Sequence, residues 1–161
     1  MTKKIFWQDP YLIELETVVQ TANGNQVTVA ETIFYAFSGG QESDFGTIGG
    51  STVLEARKDG KEIFYTLGEN HRLKTGDIVK MCIDWNRRYK LMRLHFAAQE
   101  IISAFSDETN ERRYWKINEF SEVPCGGTHI KRTGEMGIIR LKRANPGKGR
   151  ERIEIYVSEG Q

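Results

Sequence analysis

The sequence predicts an α+β protein, with a small β-barrel-like subdomain over residues 1–86 packed on a two-layer α/β subdomain over residues 87–161. Three observations predict it. Short segments of alternating apolar and polar residues, divided by regular turn signals, fill the first half. A long run without glycine or proline follows, with apolar residues at helical spacing. Further alternating segments come after it, so the change of period near residue 86 marks the boundary.

The first strand carries Ile13, Leu15, Thr17 and Val19 on one face and Glu14 and Glu16 on the other. Asn23-Gly24 turns the chain, and Val27 to Tyr35 returns as the second strand of a hairpin. Thr52 to Arg57 and Glu62 to Thr66 form another hairpin about Asp59-Gly60. His71, within Glu69-Asn70-His71-Arg72, reads as a surface-loop residue. Gly76-Asp77 introduces a strand with Val79, Met81, Ile83 and Trp85 on one face, and Cys82 beside them reads as a packed, inert thiol. The helix runs from Arg87 to about Phe105 through Leu91, Leu94, Ala98, Ile101 and Ile102, with Asn86 as its N-cap. Strands follow over Tyr114–Ile117, Met136–Leu141 and Arg152–Val157. A loop through Pro124-Cys125-Gly126-Gly127 precedes the last two, which the turn-rich Asn145–Gly149 joins.

A chain of 161 residues can bury roughly 70% of its unfolded surface, enough for a real core. No stretch approaches the 18 or so apolar residues of a membrane span, and Gln8 and Asp9 end the apolar run Ile5-Phe6-Trp7 too soon for a signal peptide. The expectation is a cytoplasmic protein with no membrane partner. Two cysteines, Cys82 and Cys125, make no disulfide framework. The net charge of +1 hides an asymmetry: from Lys131 to Arg152 eight basic residues face two acidic ones. Such a tract suits a polyanion, although a solvated strand surface explains it equally well.

Three groups of residues carry chemistry. His95 and Gln99 lie one helical turn apart and share a face, while Cys125-x-x-x-His129 is a second short-spaced pair. Imidazole and thiolate are the donors a tetrahedral zinc prefers, and three strong donors with one open position are what hydrolysis requires. From spacing alone, coincidence or core packing accounts for such residues more often than a metal does. Gly39-Gly40-Gln41, after the strand ending Phe34-Tyr35, offers a close backbone approach and a side chain with donors and an acceptor; a plain tight turn is the simpler reading. Gly147-Lys148-Gly149-Arg150 fits a phosphate backbone or a hairpin turn.

Taken in order, these pieces resemble the editing domain of alanyl-tRNA synthetase and its free-standing homologues, the AlaX-type alanyl-tRNA editing proteins. The resemblance rests on Thr32-Ile33-Phe34-Tyr35 with Ser38-Gly39-Gly40-Gln41 and Ser43-Asp44-Phe45-Gly46, and on Asp84-Trp85-x-Arg87-Arg88 leading to Met92-Arg93-x-His95. It continues through Cys125-Gly126-Gly127-Thr128-His129, Thr133-Gly134-Glu135-x-Gly137 and Lys148-Gly149-Arg150-x-Arg152-Ile153. Two departures stand out. The family's first pair is His-x-x-x-His where this chain has Gln99, and the stretch Glu100–Pro124 is shorter than the family's usual spacing.

The resemblance implies hydrolysis of serine or glycine wrongly esterified to alanine tRNA. It implies one zinc ion per chain on His95, Cys125 and His129, with Gln99 a weak or absent fourth ligand that lowers affinity. It makes Cys125, Gln41 and Thr32 the catalytic group, with Gln41 orienting the water or ribose and Thr32 reading the seryl hydroxyl. Gly39, Gly40, Arg88, Arg93, Lys148, Arg150 and Arg152 are expected to meet tRNA. A tRNA-binding module with a decayed metal site, or a hydrolase of another aminoacyl ester, would share these motifs.

Overall fold

The computed structural model describes residues 1–102, 114–117, 121–147 and 150–158. The architecture is mixed, mostly sheet, with one long helix among the described residues. In chain order the strands are β1 (Lys3–Lys4), β2 (Glu14–Asn23), β3 (Gln26–Val29), β4 (Glu31–Thr32), β5 (Gly46–Ile48), β6 (Ser51–Asp59), β7 (Glu62–Leu67) and β8 (Ile78–Ile83). Then come α1 (Trp85–Ile102), β9 (Tyr114–Ile117), β10 (Ser121–Pro124), β11 (Ile138–Gly147) and β12 (Arg150–Ser158). The chain divides into two compact units, Met1–Tyr89 and Lys90–Gln161, within α1.

In the first unit six strands pair in a closed circuit, β2-β3-β7-β6-β5-β8 and back to β2. Alternation explains it: on β2, Thr17 and Val19 are buried while Glu14 and Glu16 face water. Val19, Val27, Val29, Ile48, Ile63, Tyr65, Leu67 and Met81 fill the interior. The β5–β8 pairing needs Gly46, because a Cβ there would lie 2.0 Å from the Cys82 carbonyl oxygen. Inside the circuit Thr32 Oγ1 and Tyr65 Oη share a 2.6 Å hydrogen bond, and burial raises the Tyr65 phenol pKa above its ordinary value.

Several local expectations change. The stretch expected as one strand from Val27 to Tyr35 is instead β3, which ends at Val29, and the short β4, which pairs with β1 and ends at Thr32. Beyond it side chains take the backbone donors, Thr32 Oγ1 accepting Phe34 N–H at 2.9 Å and Asp44 Oδ2 accepting Tyr35 N–H at 2.7 Å. Trp85 opens α1 instead of extending β8, and Asp84, not Asn86, caps the helix by accepting the Arg87 N–H at 3.1 Å. Cys82 is half-exposed, on the face opposite Met81 and Ile83, as a period of two requires. His71 is half-buried and bonds the Gly24 carbonyl at 2.8 Å. The expected helical turn over 103–105 lies outside the described residues.

Arg88, expected at a phosphate, is wholly buried in the first unit. Its Nε donates to Asp44 Oδ1 at 2.9 Å, Nη1 to the Pro10 carbonyl at 2.8 Å, and Nη2 to Asp44 Oδ2 and the Ile33 carbonyl. The guanidinium fork matches a carboxylate and two carbonyls at once, which a lysine could not do.

The second unit contains two antiparallel pairs, β9 with β10 and β11 with β12. Arg93, also expected at a phosphate, is buried, and its guanidinium donates to the Met136 carbonyl at 2.8 and 3.0 Å and to the Ser158 carbonyl. It fastens α1 to the end of the β11–β12 hairpin where Ile138 faces Ser158.

Removing one partner of the buried pair should strand the other charge. Arg88→Ala is expected to cost about 3–5 kcal/mol, read as a lower urea midpoint at unchanged slope. A loss below about 1 kcal/mol would show that Asp44 does not depend on it.

Candidate metal centre

The second unit gathers three of the predicted site residues. His95 projects from α1, one turn before the backbone position of Gln99. Neighbouring helix positions Met92, Phe96 and Ala97 are buried, which leaves His95 half-buried at the margin of that packed face. Cys125 follows β10 directly, and His129 lies four residues on, between buried Thr128 and Ile130. Buried residues on either side of His129 anchor the loop that presents it.

His95 Nε2 lies 3.0 Å from Cys125 Sγ, and His129 Nε2 lies 2.9 Å from the same sulfur. All three ligand atoms fall within 4.8 Å of one another. The two imidazoles meet edge to face at 5.2 Å, and Phe96 packs against His129 at 5.9 Å. Burial lowers the His95 pKa, favouring the neutral imidazole that can donate a lone pair. A thiol has one hydrogen and can give it to only one of its two neighbours.

The donor set fits a metal. Bonds of about 2.0–2.1 Å to nitrogen and 2.3 Å to sulfur place the ligand atoms of one tetrahedral ion roughly 3–4 Å apart. Two imidazoles and a thiolate suit zinc, and a set of three leaves a position for a weaker ligand or a substrate. Gln99 follows His95 by one helical turn, and its side chain is outside the described residues.

The other predicted residues divide between the two units. In the first unit, Gly39 and Gly40 form a two-residue turn with φ of 58° and 82°. Ser38 and Gln41 exchange backbone hydrogen bonds of 3.1 and 3.3 Å across it, and Gln41 is buried. Thr32 is fully enclosed, its hydroxyl engaged with Tyr65 Oη and Phe34 N–H, so any part in recognition passes through that network. Arg152 is exposed on β12 beside Glu154, at 3.4 Å. Arg150 begins β12, while Lys148 lies outside the described residues. Sequence reasoning missed Asp44 as the partner of Arg88, although Asp44 stood within a quoted motif; nothing local pairs positions 44 residues apart.

Comparison with known proteins decides the family. The chain is 32% identical to the alanyl-tRNA editing protein AlaX-M of Pyrococcus horikoshii, over 98% of each chain. This chain belongs to the alanyl-tRNA editing protein family. It is 28% identical to AlaX-M of Methanosarcina barkeri over 95% of this chain and 98% of that one. Residues 113–154 match the family described as threonyl and alanyl tRNA synthetase second additional domain. The alanine–tRNA ligase of Methanococcus maripaludis is 30% identical over 88% of this chain, which corresponds to 16% of the ligase. The alignment with the Pyrococcus editing protein spans 212 positions against 161 residues here, so that relative carries residues this chain lacks.

If the three donors hold one ion, chelator-stripped protein should take up one equivalent of zinc with a rise in thermal midpoint. At a hundredfold excess over the dissociation constant the stabilisation is about 2.7 kcal/mol. Cobalt should give a sulfur-to-metal absorption band that Cys125→Ser abolishes. Cys125→Ser should weaken zinc by more than the ~10–100-fold lost with an outer partner. A band that survives the substitution would remove Cys125 from the ligand set.

Proposed function

We propose that the chain hydrolyses the ester joining a wrongly attached amino acid to the terminal ribose of alanine tRNA, acting in trans. The observation that carries this reading is the convergence of His95, Cys125 and His129 in a member of the alanyl-tRNA editing family. The residue types match hydrolytic zinc sites, in which three protein ligands leave one position open. When bound, the ion would supply a Lewis acid for ester hydrolysis. The protein's own groups would hold it: His95, whose partial burial favours the neutral imidazole, and His129 would offer nitrogen, Cys125 would offer sulfur, and Gln99 a weak fourth contact.

The amino acids removed are serine or glycine. An alanine pocket rejects such near-isosteres poorly by binding alone, so a second hydrolytic site is what restores accuracy. Gln41, with Gly39 and Gly40, orients the ribose or the attacking water. Thr32 would bear on the seryl hydroxyl only through its bonds to Tyr65 and Phe34. Phosphate contact falls to Lys148, Arg150 and Arg152, since Arg88 and Arg93 are committed to carbonyls and, for Arg88, to Asp44.

One observation favours a second reading, a module that binds tRNA without hydrolysing it: Gln99 occupies the place of an expected histidine. A neutral amide oxygen holds zinc less well than imidazole.

Deacylation of seryl-, glycyl- and alanyl-tRNA separates the two. The expected outcome is release of serine or glycine in preference to alanine, with Cys125→Ala lowering kcat/KM at least about 100-fold. Gln99→His should tighten zinc without abolishing turnover. Salt-sensitive tRNA binding with no deacylation, even in excess zinc, would establish the binding module instead.

A further inference from the structure

The segment from Phe37 to Phe45 holds two large rings in water on a backbone with little freedom. Phe37 is 63% exposed and Phe45 is 56% exposed. The chain between them is fastened at many points. Phe37 N–H donates to Ser43 Oγ at 2.7 Å, and Tyr35 Oη donates to the Ser38 carbonyl at 2.8 Å. The Asp44 carboxylate is locked to Arg88 and Tyr35 N–H, and the Phe45 carbonyl accepts Asp84 N–H at 2.8 Å. A mobile loop could fold such rings away; a fastened one keeps them presented.

The surroundings are polar. The rings are interspersed with Ser38, Gly39, Gly40, Glu42 and Ser43, so they make no continuous apolar patch of the sort that docks another protein. Arg87 lies with its guanidinium carbon 3.8 Å from the Phe45 ring centre. Its Nε donates to the Ser43 carbonyl at 3.0 Å and its Nη2 to Glu42 at 2.7 Å, which fixes the guanidinium plane. A Cβ on Gly39 or Gly40 would meet nothing within 4 Å, so the turn beside the rings is open to a ligand. The exposed Phe37 ring, a Phe45 ring backed on one face by the Arg87 guanidinium, and an open glycine backbone suit the faces of unstacked nucleobases.

We propose that Phe37 and Phe45, with Arg87, form a stacking platform for unpaired bases at the 3′ end of an RNA. The proposal rests on the reading that the substrate is aminoacylated tRNA, whose charged end is single-stranded. The rings hold bases by their faces, which tolerates any sequence.

The test uses the full chain and a fluorescein-labelled tetranucleotide RNA ending in CCA, with affinity read by anisotropy. Phe37→Ala and Phe45→Ala should each weaken binding by about tenfold, the usual scale of one lost base stack. Phe45→Trp should keep the affinity, whereas Phe45→Leu, equally apolar but without a π face, should not. Unchanged urea midpoints and zinc content show that the variants are folded. Wild-type affinity in the alanine or leucine variants, or no binding by the wild type, overturns the platform. Because binding is read without turnover, a platform that fails in a protein that deacylates tRNA leaves the proposed reaction intact. Ring-dependent binding in a protein that does not deacylate leaves the platform intact and removes the reaction.

Discussion

The ion pair between Arg88 and Asp44 is the contact on which the first unit depends, and burying it is costly. Both side chains are fully excluded from solvent, and each charge would be expensive to desolvate alone. The arrangement offsets that cost with hydrogen bonds rather than with charge alone. Asp44 accepts from Arg88 through both oxygens and from Tyr35 N–H, while Arg88 also satisfies the carbonyls of Pro10 and Ile33. Four stretches of chain distant in sequence are thereby set in one geometry: the segment before β2, the exit from β4, the glycine turn's far end and the first turn of α1. Apolar residues of equal volume would pack as well, but they would not dictate where Ile33 and Tyr35 point. The pair contributes specificity of arrangement more than net stability.

That constraint bears on why the chain leaves the ladder after β4. Past Thr32 the backbone donors of Phe34 and Tyr35 are taken by side-chain oxygens, so the chain leaves the sheet without leaving its polar groups unsatisfied. The freed segment then turns at Gly39 and Gly40, where only positive φ closes a two-residue loop of the required hand. A rigid turn outside the ladder is what a loop needs if it is to present side chains while the sheet stays paired.

Much of this was legible. Alternation on β2 and the Asp59-Gly60 hairpin are local patterns, and the fold reproduces both. The His95–Cys125–His129 cluster was legible for a related reason: Cys125 and His129 sit four apart, and His95 lies on a helix whose period shows in the sequence. What failed to show was pairing across distance. Arg88 and Arg93 read as surface cations because charge is normally exposed. Only their partners, Asp44 and the carbonyls of Ile33, Met136 and Ser158, make burial tolerable, and no local window contains them. Cys82 and Trp85 were misplaced for different reasons. The period of two already put Cys82 opposite Met81, whereas Trp85 continued the strand pattern until Asp84 capped a helix in front of it.

The fate of the arginines bears on how a polyanion is recognised. A count of basic residues treats every one as available to phosphate, yet the structure sorts them by what surrounds them. Arg88 and Arg93 are spent inside the fold, and Arg87 is oriented by Glu42 and the Phe45 ring. On the β11–β12 hairpin, Glu154 lies between Lys142 at 3.6 Å and Arg152 at 3.4 Å, drawing part of their field inward. These exposed pairs are weak and exchange readily for phosphate. Among the described residues the basic surface is therefore smaller than the sequence implies, and where phosphate contacts position a ligand, geometry has to supply selectivity. In this chain the glycine turn takes its geometry from its backbone hydrogen bonds and from the buried Arg88–Asp44 pair at its far end, and the His95–Cys125–His129 cluster from the packing of α1 and of the loop after β10.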